Sequence, residues 1–415
     1  MVVNKMVLSK SLASLLLPVL AFVSLSAKAS PHPRAPLSTD AFKLAVKFNP
    51  IETGNTTAVG QARARALLRR GGSSSISAAS SGGVYYSTDV GVGNPPTSYT
   101  LLVDTGSSST WIGATKSYVK TNTSQDTGNQ FHDSYGSGTT ETVLGEEYLD
   151  TVTLNSALVI EQQSIGVAEY GTSAGLAGIF DGILGLGPVD LTENTVSNTK
   201  QVPTVMDNLY AQKTISSEVL GVFFSPASSG DGSGELTFGG YDTSKITGDV
   251  NYVPITTTSP SSDFWGIDLS ISYGNTVILA EAAGIVDTGT PMIPIATDAY
   301  NQYQSATGAT YDSNTGLLMI SSDQYANLSS MYFNIGGVSY ELTPNAQIWP
   351  RSLNSVIRGT SDGIYLVIID NGSNSGSGQD FTLGHCFLQR FYSVYDTTNS
   401  QVGFATTEYT TATSN

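Results

Sequence analysis

One six-residue pattern occurs twice in this chain and limits its architecture more than any other feature. Leu102-Val103-Asp104-Thr105-Gly106-Ser107 returns as Ile285-Val286-Asp287-Thr288-Gly289-Thr290, 183 residues later. A second pair follows in the same order: Gly182-Ile183-Leu184-Gly185 after the first copy, Phe381-Thr382-Leu383-Gly384 after the second. Leu184 lies 80 residues beyond Asp104, and Leu383 lies 96 beyond Asp287. Two elements in one order at similar spacing imply two similar lobes that divide near residue 250. The apolar pair before each Asp buries a strand, and the glycine two residues after it lets the chain turn tightly beside the carboxylate. Unrelated surface turns need no buried pair in front of them.

Between these landmarks the apolar runs are short and are broken by Gly, Asn, Asp, Ser and Pro. Tyr99 to Val103, Tyr148 to Leu154, Val219 to Phe224, Ile364 to Ile369 and Phe391 to Tyr395 are too short for helices and read as strands. Two modest helices are expected, at Thr204 to Gln212 and Asp298 to Thr307, the second capped by Thr297 or Asp298. With 43 glycines and 13% charged residues in 415, the fold class is all-β, built from two or three folded units.

Charge is distributed unevenly. The first 77 residues hold ten of the 18 basic residues against two acids; the remainder holds eight bases against 32 acids, a balance of −24. Residues 1–29 read as a secretory signal peptide, with Lys5 and Lys10, an apolar stretch from Leu12 to Leu25, and the small-x-small site Ala27-Lys28-Ala29. Pro18 and several serines interrupt that stretch, which falls short of the ~20 residues a spanning helix needs. The expected destination is extracellular, with vacuolar sorting the other route such a signal permits, and no membrane attachment after its removal. Residues 30–77 read as a basic pro-segment: strand-like alternation over Ala41 to Phe48, a helical stretch Gln61 to Arg70, and a cleavage zone after Gly71-Gly72. Its electrostatic partner is the acidic body, on which it would act as an intramolecular inhibitor. That body divides into residues 78–250 and 251–415. An acidic balance excludes nucleic-acid binding. One cysteine excludes an intramolecular disulfide framework, and the lack of a His cluster leaves no metal or cofactor expected.

If the lobes face each other across an approximate dyad, Asp104 and Asp287 meet between them. Like charges that close cannot both ionise, so the pair shares a proton and its apparent pKa values split. One carboxylate can then accept a proton from water while the other donates to a carbonyl oxygen, giving a neutral tetrahedral adduct without a covalent intermediate. Neighbouring Thr and Ser hydroxyls can hold the carboxylates without adding charge.

These residues resemble the pepsin-like aspartic proteases, over essentially the whole chain to Phe391-Tyr392-Ser393-Val394-Tyr395-Asp396. Within that family the chain is similar to the secreted fungal enzymes of the polyporopepsin type, which share the absence of disulfides. The shared-proton pair is known from this family, so its pKa logic comes with the resemblance. The resemblance implies a bilobal fold, two pseudo-dyad-related β-barrel-like lobes with an active-site cleft between them and a β-hairpin flap. It makes Asp104 and Asp287 the catalytic pair and Thr105 and Thr288 the brace between their loops. Ser107 and Thr290 would bond the outer carboxylate oxygens, with Gly106 and Gly289 in the same loops. Asp133-Ser134-Tyr135-Gly136-Ser137-Gly138 matches the flap, where Tyr135, Gly136 and Ser137 would face substrate and Trp111 would partner the tyrosine. Leu102, Phe180, Ile183 and Ile285 fall where the family lines apolar substrate pockets; ordinary core packing explains Leu102 and Ile285 nearly as well. The implied partners are extended polypeptide substrates, the pro-segment and pepstatin-like inhibitors, and the implied state is a monomer.

Two departures stand out. Pro291 occupies a position usually Ser or Thr, removing a hydroxyl and a backbone donor beside the second Asp. His385 follows Leu383-Gly384 where an Asp is common. His385 and Cys386, read as neighbours in a strand, would point to opposite faces and leave a structural cysteine rather than a thiol–imidazole pair. Asn122, Asn327 and Asn371 sit in N-x-S/T sequons and are glycosylation candidates. A leader Lys or Arg is expected to pair with Asp104 and Asp287, with Lys43 and Lys47 as candidates. Two other functions fit a pepsin-like or paired-carboxylate chain: a non-catalytic peptide-binding protein, and a glycosidase. The first usually lacks a catalytic Asp or a flap feature, and the second gains little from only three tryptophans.

Overall fold

Leu44 and Val46 turn inward from strand β1 (Phe42–Ile51) while Lys43, Ala45 and Lys47 turn out, the period-two pattern of a half-buried strand. The computed structural model describes residues 41–51, 83–135, 142–169, 176–229 and 233–415. The expected signal peptide, the helical stretch Gln61 to Arg70 and the cleavage zone lie outside these. Strands β2 (Gly83–Val92), β3 (Thr97–Asp104), β4 (Trp111–Ile112), β5 (Gln125–Ser134), β6 (Thr142–Thr153), β7 (Val159–Ala168) and β8 (Gly182–Gly185) follow. They continue into β9 (Val219–Phe224), β10 (Ser233–Phe238), β11 (Asn251–Pro254), β12 (Gly266–Tyr273) and β13 (Thr276–Val286).

Among the described residues a 13-stranded sheet runs β11, Gln401–Thr406, Phe391–Asp396, β9, β10, β1, β2, β3, β8, β4, β7, β6, β5. β1 is interior to this sheet, antiparallel to β10 on one side and to β2 on the other. A five-stranded sheet joins Val338–Leu342, Met331–Ile335, β12, β13 and Thr382–Leu383. The architecture is all-β and bilobal, as expected.

The sequence echo has a structural counterpart in each lobe. β3 pairs in parallel with β8, placing Val103 opposite Leu184. β13 pairs in parallel with Thr382–Leu383, placing Val286 opposite Leu383. The residue before each Asp therefore faces the Leu of the second motif in the same register. The Gly after that Leu is needed for close approach. A Cβ on Gly185 would lie 2.4 Å from the Ser108 carbonyl carbon, and one on Gly384 would lie 2.3 Å from the Thr290 oxygen.

Local chemistry explains where the expected elements shift. The first helix is Val205–Ala211, with Thr204 and Asp207 forming a reciprocal capping box. The second is Thr297–Thr307, and its cap is Ala296 rather than Thr297 or Asp298. Both side chains are committed elsewhere: the Thr297 hydroxyl donates to Asp370, and the Asp298 carboxylate accepts from Ser375. His385 and Cys386 do not lie in a strand; they open the short helix His385–Leu388. The expected run Ile364 to Ile369 is split at Val367 into Ile364–Leu366 and Ile368–Asp370, which join different sheets.

Candidate active site

Asp104 ends β3 and Asp287 follows β13, so each carboxylate stands where a buried strand turns into a loop. Both are fully buried. Their surroundings match atom for atom. The Gly106 N–H donates to Asp104 Oδ1 at 2.9 Å, and the Ser107 hydroxyl donates to Oδ2 at 2.5 Å. The Gly289 N–H donates to Asp287 Oδ1 at 2.7 Å, and the Thr290 hydroxyl donates to Oδ2 at 2.6 Å. In these bonds each carboxylate has one oxygen on a peptide N–H and the other on a hydroxyl.

Four bonds cross between the loops. Thr288 Oγ1 accepts from the Thr105 N–H at 2.9 Å and donates to the Val103 carbonyl at 3.0 Å. Thr105 Oγ1 accepts from the Thr288 N–H at 3.0 Å and donates to the Val286 carbonyl at 3.2 Å. Each threonine hydroxyl therefore uses both its acceptor and its donor on the opposite lobe. Trp265 adds another cross-link, its Nε1–H donating to the Leu186 carbonyl at 3.0 Å.

The hairpin β5–β6 carries Tyr135 at its described end. The Trp111 Nε1–H donates to the Tyr135 oxygen at 2.8 Å, with ring centroids 6.1 Å apart. Burial, then the nearby Asp133 and Asp104 carboxylates, drives the Tyr135 phenol well above its ordinary range, so it keeps its proton. Gly136 and Ser137 lie outside the described residues.

The expected pocket residues separate into two groups. Leu102, Phe180 and Ile183 share one apolar cluster with Trp111, Phe131, Val143 and Val196, and Tyr135 packs against it. Ile285 is enclosed by Leu191 and Phe264 instead. Pro291 is buried, and its carbonyl accepts from the Cys386 N–H at 3.2 Å.

The eukaryotic aspartyl protease family model matches residues 85–407, a span that contains both loops and the described end of the hairpin. The chain belongs to that family. It is 56% identical over 336 residues to polyporopepsin of Irpex lacteus, covering 80% of this chain and 97% of that protein. Rat (Rattus norvegicus) cathepsin E is 32% identical over 338 residues, 77% of this chain and 79% of its own. Rhizopuspepsin-1 of Rhizopus niveus is 32% identical over 325 residues, 75% of this chain and 76% of its own. An aspartic proteinase from Irpex lacteus, known as a crystal structure, superposes with a TM-score of 0.76 at 48% identity, covering 90% of this chain and 100% of that one. The expected pepsin-like aspartic protease family is therefore shown, and a glycosidase is set aside.

Within this aspartic protease, two expectations need correction. Lys43 is bonded by Asp242 and Glu235, and Lys47 by Asp89 at 2.5 Å. Both lysine side chains are half exposed or more and their ammonium groups bind other carboxylates, whereas Asp104 and Asp287 are fully buried, so neither lysine is the dyad's partner. The outward phase of β1 dictates this, since every second residue faces away from the lobe interior. Asn371 is 1% exposed, its amide donates to the Gln379 carbonyl and its oxygen accepts from the Ser373 N–H, leaving no room for a glycan. For Cys386, read from the sequence as a structural cysteine, burial pushes the thiol up to about 12, with Arg390 acting in the opposite sense.

Two residues of the site were named in the sequence reading without a role. The His385 Nε2 contacts the Thr288 carbonyl, and its backbone N–H donates to the Thr290 carbonyl at 2.8 Å. Asp133 lies on the inward face of β5 and accepts from Tyr135. Asp133 stood in the flap motif, but its inward phase on β5 came only with the structure.

Proposed function

We propose that this chain is a secreted, acid-active endopeptidase made as a zymogen, with Asp104 and Asp287 activating a water for peptide-bond hydrolysis. The observation that carries this reading is the matched pair of carboxylate cradles joined by the crossed threonine bonds. In that arrangement one carboxylate accepts the water's proton while the other, protonated, donates to the scissile carbonyl oxygen. Ser107, Gly106, Thr290 and Gly289 hold the carboxyl planes in place, and Thr105 and Thr288 keep the loops facing each other. An extended peptide of about six to eight residues, roughly 25 Å long, lies across the cleft with an apolar side chain against Leu102, Phe180, Ile183 and Tyr135.

Residues 1–29 are read as the secretion signal, 30–77 as the pro-segment, 78–250 and 251–415 as the two catalytic lobes. The basic leader and the −24 body support a precursor held together at neutral pH and loosened by acid. Asn122 and Asn327, both exposed, remain the glycan candidates. The mature enzyme is a monomer without cofactor, and pepstatin-like peptides occupy the same cleft as substrate.

The test is cleavage of a denatured protein at acid pH by the processed chain. Pepstatin-sensitive cleavage, abolished by Asp287→Asn, is the expected result. Tight pepstatin binding without cleavage would instead make this a peptide-binding protein, and a sharp activity optimum above pH 7 would remove the acid reading.

A further inference from the structure

We propose that Asp133 is a positioning residue for Tyr135, accepting the phenolic proton so that the tyrosine oxygen stays turned toward Trp111. The inference rests on the protease reading above and concerns how the residue over the substrate cluster is set.

The observation begins with the phase of β5. Phe131 and Asp133 are buried while His132 and Ser134 are exposed, so Asp133 occupies an inward position whose neighbour two residues back is apolar. Across the hairpin it lies opposite Val143, a member of the same apolar cluster as Phe131 and Trp111. A carboxylate there is costly to bury unless hydrogen bonds compensate it. Among the bonds that do so, the Ser134 N–H donates to Oδ1 at 2.8 Å, and the Tyr135 hydroxyl donates to Oδ2 at 3.1 Å.

Proton inventory then fixes the direction of the Trp111–Tyr135 and Tyr135–Asp133 bonds. An indole Nε1–H can only donate, so the 2.8 Å contact makes the Tyr135 oxygen an acceptor from Trp111. A phenol has one proton, and it is left for Asp133, which as a carboxylate can only accept. Trp111, Tyr135 and Asp133 form a one-way chain of bonds from β4 to the end of β5. Its last member is charge-assisted and is the stronger for it. Without Asp133 the hydroxyl loses its fixed acceptor, and the ring that packs against the cluster of Leu102, Phe180 and Ile183 loses one of its polar anchors.

A double-mutant cycle on the processed enzyme tests this, with competent sites counted by pepstatin titration. Asp133→Leu is expected to lower kcat/KM about tenfold per competent site, and Asp133→Asn, which keeps an acceptor oxygen, to stay within about threefold. In a Tyr135→Phe background, which has no phenolic proton to receive, Asp133→Leu should change kcat/KM by less than about twofold. Equal losses in both backgrounds, or no loss on Asp133→Leu, would overturn the proposal. If Asp133→Leu does not fold, Asp133→Ser carries the same cycle with the same two outcomes. Asp104→Asn separates the levels: activity surviving in it removes the protease reading, whereas loss of activity with an additive cycle removes only the role of Asp133.

Discussion

The peptide N–H of Thr105 donates to the hydroxyl of Thr288, and the peptide N–H of Thr288 donates to the hydroxyl of Thr105. Neither residue touches the carboxylates in these bonds, yet each fixes the loop that carries the other lobe's Asp. Thr288→Val keeps the volume but leaves the buried Thr105 N–H without its acceptor and the Val103 carbonyl without that donor. We expect a loss of about 2–4 kcal/mol in stability, read by denaturant unfolding, together with reduced kcat. Thr288→Ser, which restores the hydroxyl, should recover most of both. Unchanged stability in the Val variant would show that the brace contributes little.

His385 holds the same loop from behind. Its Nε2 contacts the Thr288 carbonyl, and its ring meets Tyr86 and Phe224 edge-on. His385→Leu should lower kcat by about tenfold through misplacement of the second loop, whereas His385→Gln, with a side-chain N–H, should stay within about threefold. Steady-state kinetics with matched pepstatin titration distinguishes this from a simple loss of folded protein. Equal effects of Leu and Gln would refute a role for the donor.

The Lys43–Asp242 contact predicts how acid acts on β1. Burial alone would raise Asp242, but Lys43 and the Ser244 N–H outweigh it and hold the carboxyl at about 2. A folded pKa below the unfolded one stabilises above about pH 4, and that contribution is lost as pH falls toward 2. Glu235, raised by burial, works in the opposite sense, since acid removes its buried charge. In an Asp287→Asn precursor, adding Asp242→Asn should lower stability at pH 6. The gap should narrow below pH 4 and close near pH 2, as measured by urea unfolding across that range. A gap that persists undiminished at pH 2 would mean the pair is not what acid weakens.

Exposure separates the sequons. Enzymatic deglycosylation in isotopically labelled water, followed by peptide mass spectrometry, should mark Asn122 and Asn327 and leave Asn371 unmodified. Glycan on Asn371 would contradict its packing against Gln379 and Ser373.

Much of this was legible in the chain because duplication is a property of linear order. The paired Asp-Thr-Gly loops, the two Leu-Gly echoes, the short apolar runs and the alternation of β1 depend only on local chemistry and spacing. They specified an all-β, two-lobed protein and singled out Asp104 and Asp287 without any coordinates. Tertiary structure decided what spacing cannot encode, namely which atoms meet across the lobes. Lys43 binds Asp242 and Glu235, residues brought near by strand pairing across nearly 200 positions. Thr297 gave up a helix cap because Asp370 competes for its hydroxyl, and His385 reached a carbonyl 97 residues away. Each such outcome is a contest between a local preference and a distant partner, and only the folded chain brings the two contestants together.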